Sequence, residues 1–263
     1  MRHQKNQPKR RHKVLKTLFL LCFIGICTLI TVDLIACQVD RRYAIEKFAR
    51  ANDLEMSDYP ESIIQLYERN RETKDFVFNY PLEHDQLHAI DMSEFRNPSS
   101  VPLFIQWDER WGYLQYGDDV AGLTACGPMC LAMAGYYITG DEYTFRPDHV
   151  MEFAERYGYY EPGVGSSWTL ISEGARRLGL DVTEIPLDED RIIRNLQVDN
   201  PIVCVMGPGV FTTTGHFILL TGYEGGRYKV NDPNSVANSQ KLWSFDEFSD
   251  QIQALWVLRD FDV

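Results

Sequence analysis

A cysteine at the start of an apolar helix is the first candidate for chemistry in this sequence. Cys126 is followed by Gly127, by Pro128 and by an apolar run that ends near residue 138 and is predicted to be a buried helix. The unpaired backbone N–H groups and the dipole of a helix N-terminus favour a thiolate over a thiol. Cys126 is therefore a candidate nucleophile, with a small buried core residue as the alternative.

A histidine and an aspartate later in the chain are candidates for the groups that such a nucleophile needs. His216 begins the most apolar of the predicted strands, and Asp232 ends the next predicted strand. If these strands are adjacent and antiparallel, the carboxylate can orient the imidazole while the second ring nitrogen takes the thiol proton. The alternatives are a structural histidine and a turn residue before Pro233.

The predicted elements that position these residues are helices followed by strands. The segments are helices over residues 126–138, 148–157, 168–178 and 188–197, and strands over residues 202–206, 216–223, 227–231 and 255–259. The strand segments are short, rich in β-branched and aromatic residues and bounded by Gly or Pro. This order predicts an α+β fold in which the strands form one sheet. The sequence contains no P-loop, so ATP is not an expected ligand.

The charge distribution separates a basic N-terminus from an acidic remainder. The net charge is −12, yet residues 1–16 contain seven basic and no acidic side chains, and the rest of the chain has two acidic residues for each basic one. Binding to phosphates needs clustered Lys and Arg. The acidic remainder therefore argues against nucleic acid as a partner.

An apolar segment follows the basic residues. As a helix, residues 14–36 span roughly 34 Å, which is enough to cross the hydrocarbon core of a bilayer. We expect a basic cytoplasmic tail (residues 1–13), a single-pass transmembrane signal anchor in the cell membrane (residues 14–36) and an extracytoplasmic remainder. A lipoprotein signal ending at Cys37 and an ordinary cleaved signal peptide are the alternatives, and both also place the remainder outside the cytoplasm.

The extracytoplasmic part divides into two regions. Residues 37–98 are predicted to form a helical stalk or linker, and residues 99–263 the main domain. Within the stalk, residues 43–52 are one helical candidate, and Pro60 lies near the first position of a second. The segment 76–81 contains three aromatic residues and is expected to dock on the main domain.

Several motifs together resemble a known peptidase family. In chain order they are Gln106-Trp107-Asp108, Trp111-Gly112-Tyr113, Cys126-Gly127-Pro128, Gly165-Ser166-Ser167-Trp168, Gly215-His216-Phe217-Ile218 and Asn231-Asp232-Pro233-Asn234-Ser235. The sequence is similar to the stand-alone relatives of the double-glycine-leader cysteine peptidases, which are peptidase C39-like proteins of the papain-like superfamily. The resemblance extends over residues 76–263.

The resemblance implies a papain-like fold and a thiol hydrolase activity. In the family's arrangement Cys126 is the nucleophile, His216 is the general base and Asp232 orients the histidine. Gln106 is suited to the oxyanion hole, because its side-chain amide donates without titrating and acts beside the backbone N–H of Cys126. No cofactor is implied.

Four residues are candidates for substrate binding. They are Trp107, Gly165, Trp168 and Gly215. The two indole rings can line a groove, and a place in the core or at its rim is the alternative. Residues 163–167 form a candidate mobile loop over the cleft.

Other residues of chemical interest are assigned structural roles. His84 and His88 have the spacing of metal ligands on a helix, but they lie in a polar linker without a third strong ligand, so no metal is expected. Cys130 and Cys204 are predicted to fill the core.

These inferences predict a membrane-anchored extracytoplasmic cysteine peptidase whose substrate is a peptide or a cell-surface protein. The leader-peptide substrate does not carry over, because the chain has no nucleotide-binding sequence and the domain is predicted to lie outside. Two alternatives remain. One is a cell-wall peptide or amide hydrolase of the same mechanism, and the other is a catalytically silent papain-like domain that binds a peptide.

Overall fold

The computed structural model of the protein describes residues 40–96 and 98–261, together with residues 16, 19, 20, 23, 24, 26 and 27. The predicted basic tail (residues 1–13) and Cys37 lie outside these residues, as does most of the predicted membrane anchor (residues 14–36). Among the residues described, no helix has the length and apolar character needed to cross a membrane.

The elements are numbered in chain order. The helices are α1 (residues 40–51), α2 (Glu61–Arg69), α3 (Lys74–Glu83), α4 (Ala121–Thr124), α5 (Cys126–Thr139), α6 (Pro147–Arg156), α7 (Ala175–Arg177), α8 (Glu189–Leu196) and α9 (Val236–Gln240). The strands are β1 (Gln115–Tyr116), β2 (Asp119–Val120), β3 (Tyr160–Glu161), β4 (Gly165–Ser166), β5 (Leu180–Glu184), β6 (Ile202–Met206), β7 (His216–Glu224), β8 (Arg227–Asn231), β9 (Leu242–Trp243) and β10 (Ile252–Asp260).

Strands β5 to β10 form one antiparallel sheet with the order β5-β10-β6-β7-β8-β9. The tight connection between β7 and β8 consists of Gly225 and Gly226, whose φ angles are 58° and 80°. A two-residue hairpin needs positive φ at both positions when its turn follows the twist of the strands, and glycine adopts these angles without strain. This hairpin makes β7 and β8 neighbours in the sheet.

Both faces of the sheet are covered, which explains why the central strand β6 is buried along its whole length. On one face Val203 and Val205 pack in the same cluster as the apolar side of α5. On the other face Cys204 and Met206 pack with Phe248. Because consecutive side chains of a strand point to opposite faces, an uninterrupted apolar run is the pattern of a strand buried on both sides.

The predicted α+β fold is confirmed, with differences in detail. The four strands predicted from the sequence correspond to β6, β7, β8 and β10, and three of the predicted helices correspond to α5, α6 and α8. The helix predicted over residues 168–178 is present, but its first part, Leu170–Gly174, is π-helical and only the short α7 that follows is a regular α-helix. Strand β5 was not predicted, because it is an edge strand of mixed polarity whose partner, β10, is far away in the chain.

Helices α1 to α3 belong to an N-terminal helical region (residues 40–96) that packs against the main domain. The predicted aromatic segment 76–81 is part of α3, in which Phe76, Val77, Phe78 and Tyr80 are buried. These side chains share one apolar cluster with residues of α1 and α2 and with Tyr113 of the main domain. The helical part of the predicted stalk therefore lies on the domain surface.

Phe76 is the main anchor of this contact. Its ring stacks on Tyr113 with the centroids 4.4 Å apart and the planes at 11°, and the Tyr113 hydroxyl donates a hydrogen bond to the Phe76 carbonyl at 2.9 Å. The ring also fills the space beside two glycines: a Cβ at Gly112 or at Gly122 would lie within 2.8 Å of it. The absence of side chains at these two positions allows the ring to approach the backbone.

We expect Phe76→Ala to lower the free energy of unfolding by about 3–5 kcal/mol, because it removes a fully buried ring and leaves a cavity that the surrounding backbone cannot close. Chemical denaturation monitored by tryptophan fluorescence measures the change. Phe261→Ala removes the same side chain from an exposed position and should change the stability by less than about 0.5 kcal/mol. A loss of less than about 1 kcal/mol for Phe76→Ala would contradict the docking of the helical region.

Candidate active site

Cys126 is the first residue of α5 and is partly exposed. The next residue must be small, because a Cβ at Gly127 would lie 2.7 Å from the Cβ of Ser166, so strand β4 packs directly on the start of the helix. Pro128 follows in the first turn, where a backbone N–H has no intrahelical acceptor to lose. The backbone N–H groups of Gly127 and Phe217 favour the charged form of the thiol and so act to lower its pKa. One backbone N–H from the start of α5 and one from β7 therefore stabilise a negative charge on this sulfur atom.

His216 and Asp232 are brought together by two adjacent strands. His216 is the first residue of β7, and Asp232 directly follows β8. The two strands are antiparallel, with Leu219 opposite Asn231, so the start of one strand lies beside the end of the other. The His216 Nε2 and Asp232 Oδ1 atoms are 2.8 Å apart, and both side chains are buried. The other ring nitrogen, Nδ1, remains for an interaction with the thiol.

The Asp232 carboxylate is held by further donors. The Asn234 backbone N–H donates to Oδ1 at 2.9 Å, and the Asn238 side-chain amide donates to Oδ2 at 2.7 Å. The Asp232 backbone N–H donates to Ser239 Oγ at 2.9 Å. The bonds from Asn234 and Asn238 compensate for the burial of the charged group and fix the direction in which the carboxylate faces His216, and the bond to Ser239 holds the Asp232 backbone.

The electrostatic surroundings distinguish Cys126 from the other thiols of the domain. Burial alone would raise the pKa of the Cys126 thiol, but the hydrogen bond and the charge of His216, together with two backbone N–H donors, bring this pKa below its ordinary value. Burial likewise opposes the charged form of His216, yet its hydrogen bonds with Asp232 and Cys126 raise its pKa above the ordinary value. In contrast, burial raises the pKa of Cys130 and of Cys204. The geometry therefore favours a thiolate–imidazolium pair.

Gln106, the residue predicted for the oxyanion hole, lies in the lining of the same cleft as Cys126. It is buried, and its Nε2 donates to the Gly122 carbonyl at 2.7 Å, while its Oε1 has no partner. Its backbone N–H donates to the Pro233 carbonyl at 2.8 Å. An amide nitrogen carries two hydrogens, so the bond to Gly122 leaves one N–H of Gln106 for another acceptor.

The cleft at Cys126 has a volume of about 1280 Å³. Three of the residues predicted to bind substrate, namely Gly165, Trp168 and Gly215, line it together with Cys126 and His216. Trp168 is 45% exposed, so its ring is accessible from the cleft. This volume exceeds the roughly 300–1,000 Å³ of a typical small-molecule pocket, so the cleft has room for a larger ligand.

Trp107 is the fourth residue predicted to bind substrate. It is not among the described residues that line the cleft. Its indole Nε1 instead donates to the Asn234 carbonyl at 3.1 Å. This tryptophan therefore supports the loop that follows Asp232.

The sequence of residues 98–260, more than half of the chain, matches the Peptidase_C39 like family. The chain belongs to this family. The match confirms the resemblance inferred from the motifs. It includes Gln106, Cys126, His216 and Asp232, and the N-terminal helical region lies outside it.

The solved structures that are similar to this member of the Peptidase_C39 like family include the following two. One is the peptidase domain of Streptococcus ComA, a bi-functional ABC transporter involved in a quorum sensing pathway. It is 21% identical, and the similarity covers 61% of this chain and 98% of that chain with a TM-score of 0.42. The other, described as a C39-like peptidase from Bacillus anthracis, is 16% identical, with coverages of 60% and 94% and a TM-score of 0.40. No curated protein matches the chain.

Some residues at the site of this Peptidase_C39 like domain were not identified from the sequence. Asn238, which holds the Asp232 carboxylate, lies in the short helix α9 and carries no local signal of such a role. Leu66, Arg69 and Asn70 of the N-terminal helical region line the cleft. Their sequence distance from the motifs explains why no pattern indicated them.

The two histidines with the spacing of metal ligands, His84 and His88, have backbone partners in the structure. Within residues 40–96 and 98–261, no group of three or more His, Cys, Asp or Glu side chains is arranged to hold a metal ion. His84 Nδ1 is hydrogen-bonded to the Tyr80 carbonyl, and His88 Nε2 to the Glu83 carbonyl. The absence of a cofactor stays a prediction.

Proposed function

We propose that the chain is a cysteine peptidase in which Cys126 is the nucleophile, His216 the acid–base group and Asp232 the residue that orients the histidine. The observation that carries this proposal is the 2.8 Å contact between the imidazole of His216 and the buried carboxylate of Asp232, in a cleft that Cys126 also lines. The opposite pKa shifts of Cys126 and His216 support it, because an activated thiol enzyme needs both.

In the proposed reaction the Cys126 thiolate attacks the carbonyl carbon of a peptide bond. The resulting oxyanion accepts hydrogen bonds from the backbone N–H of Cys126 and the side-chain amide of Gln106. The C–N bond breaks as His216 gives its proton to the leaving amine, and an acyl-enzyme remains. Water, deprotonated by His216, then attacks the acyl carbon, and the C–S bond breaks to release the acid and the thiolate.

The substrate we propose is a peptide or an exposed segment of a cell-surface protein. Apolar and exposed side chains stand at the rim of the cleft, with Val164 and Trp168 in one chain segment and Val210 in another. An extended chain can enter such an open groove without unfolding of the enzyme. The basic tail and the apolar segment of residues 14–36 support a location at the cell membrane, with the peptidase domain extracytoplasmic. Neither ATP nor nucleic acid is part of the proposal.

The proposal is tested by the pH dependence of Cys126 alkylation, which needs no known substrate. In the full chain, with peptide mapping of each thiol, we expect Cys126 to react well below the ordinary thiol pKa of about 8.5. His216→Ala should slow this alkylation at pH 6 by about tenfold or more, because it removes the group that lowers the thiol pKa. Cys130 and Cys204 in the same digest are internal controls and should stay unreactive.

The direction of the pH dependence follows from the two pKa shifts. Below the lowered pKa of Cys126 the thiol is protonated and alkylation slows, and above the raised pKa of His216 the imidazole can no longer protonate a leaving amine. Alkylation should therefore have an acidic limb, and hydrolysis both an acidic and a basic limb. A Cys126 thiol that is inert, or that reacts like the buried thiols, would contradict the peptidase proposal. It would favour a catalytically silent domain that binds a peptide.

A further inference from the structure

A turn of the N-terminal helical region binds the loop that follows Asp232. Glu72, in the 3₁₀ turn Arg71–Thr73, accepts a hydrogen bond from Ser235 Oγ at 2.6 Å through Oε1. Its Oε2 accepts the backbone N–H groups of Val236 at 2.8 Å and Ala237 at 3.1 Å. One carboxylate therefore holds three donors from a loop that is more than 160 residues away in the sequence.

A neighbouring residue adds to this contact. Asn70 donates through Nδ2 to the Asn234 carbonyl at 2.6 Å. Asn70 also accepts the Glu72 backbone N–H at 2.9 Å and the hydroxyl of the buried Thr73 through its carbonyl at 2.8 Å. The turn that presents Glu72 is thus built by local hydrogen bonds, and α3, which follows it, is anchored by Phe76.

The loop held by Glu72 is the one that holds the Asp232 carboxylate. The Asn234 backbone N–H donates to Asp232 Oδ1, and Asn238 donates to Oδ2. Ser235, the direct partner of Glu72, caps α9 by accepting the Asn238 backbone N–H at 3.1 Å. A shift of Ser235 therefore moves Asn238, and with it one of the donors that orient the carboxylate.

We propose that Glu72 is a positioning residue for the active site: by holding residues 232–238 it keeps the Asp232 carboxylate against His216. The proposal adds to the matched domain a residue that lies outside it, since the family match begins at residue 98. The effect of Glu72 on catalysis rests on the proposed function. The effect of Glu72 on the contact between Asp232 and His216 does not.

The consequence for His216 follows from charge-assisted hydrogen bonding. A carboxylate at 2.8 Å stabilises the imidazolium, and a carboxylate that moves away or turns stabilises it less. Loss of the Glu72 contact should therefore lower the pKa of His216 and raise that of Cys126. A role of Glu72 in overall stability alone would leave both of these values unchanged.

The experiment measures two properties of the full chain in Glu72→Ala and Glu72→Gln. The first is the rate of Cys126 alkylation as a function of pH, with peptide mapping. The second is the pKa of the His216 imidazole, followed by NMR with histidine-selective labelling in the Cys126→Ala background. For Glu72→Ala we expect the His216 pKa to fall by about one unit and the alkylation at pH 6 to slow by about tenfold.

Glu72→Gln keeps one acceptor oxygen and should have a smaller effect of the same sign, and it decides the question if Glu72→Ala does not fold. The matched control is Glu61→Ala, which removes a carboxylate of the same region that pairs with Arg42 and does not contact the loop. This control should leave the His216 pKa unchanged. A further variant combines Glu72→Ala with Asp232→Ala, and there the Glu72 substitution should have no additional effect on His216.

A folded Glu72→Ala protein with an unchanged His216 pKa would overturn the proposal. The proposal would also be overturned if Glu72→Ala lowered the His216 pKa by the same amount in the Asp232→Ala background, because Glu72 would then act on His216 by another route. Failure of the proposed function has a different signature, namely a wild-type Cys126 with ordinary or absent reactivity. In that case the NMR titration in the Cys126→Ala background still decides whether Glu72 positions Asp232.

Discussion

Cys126→Ala should reduce peptide hydrolysis by at least about 10⁴-fold, because the proposed acyl-enzyme cannot form without the sulfur atom. The loss should be in kcat, while binding of the peptide changes little, since the small side chain contributes little contact area to the cleft. The measurement is kcat/KM for a peptide selected from a cleavage library by mass spectrometry. A trapped substrate complex of the alanine variant would provide the corresponding binding constant.

The matched control for this variant is Cys130→Ala. Cys130 lies one turn further along α5 and is fully buried, and burial raises its pKa. We expect this variant to retain hydrolysis within about threefold, because it removes one core sulfur atom and no reacting group. Residual activity of Cys126→Ala above about 1% of the wild-type rate would show that Cys126 is not the nucleophile.

Asp232→Ala is expected to have the second largest effect, a loss of about 10³-fold in kcat/KM. The substitution removes the acceptor of His216, of the Asn234 N–H and of the Asn238 amide at once. The imidazole then loses both its orientation and the charge that raises its pKa, so the basic limb of the pH–rate profile should move to lower pH. Steady-state kinetics between pH 5 and about 10 measure both changes.

Asp232→Asn separates orientation from charge. The asparagine oxygen can still accept a hydrogen bond from His216, but it is uncharged, and its amide nitrogen cannot accept one from Asn238. We expect it to be about tenfold more active than Asp232→Ala. Asp181→Ala, which removes an ion pair with Arg259 at the edge of the sheet, is the control and should retain full activity. A wild-type rate for Asp232→Ala would exclude the proposed role of the carboxylate.

The parts of the site that local sequence patterns could predict are those built by neighbouring elements. The start of α5 at Cys126 follows from an apolar run with Pro128 in its first turn. The approach of His216 to Asp232 follows from two consecutive strands joined by Gly225 and Gly226, since such a hairpin leaves little choice of partner. The family motifs added the role of each residue to these local predictions.

Other features were not predictable, because they depend on which surfaces meet after folding. The Gln106 amide is expected at the oxyanion hole, and the Gly122 carbonyl, sixteen residues away, orients its Nε2. Trp107 is expected to bind substrate, and its indole Nε1 is oriented by the Asn234 carbonyl. In both cases the side chain has the predicted chemistry, and a long-range acceptor determines where it points.

The α+β fold class, the family, the helix that carries Cys126 and the strands that carry His216 and end at Asp232 could all be predicted from local sequence patterns and motifs. The contribution of the N-terminal helical region to the cleft lining and the hold of Glu72 on the Asp232 loop are visible only in the folded chain. The difference arises because sequence patterns report only on short-range contacts along the chain. Periodicity, capping and turn propensity report on contacts within a few residues, whereas hydrogen bonds across more than 160 residues exist only once the apolar faces of Phe76 and Tyr113 have packed together.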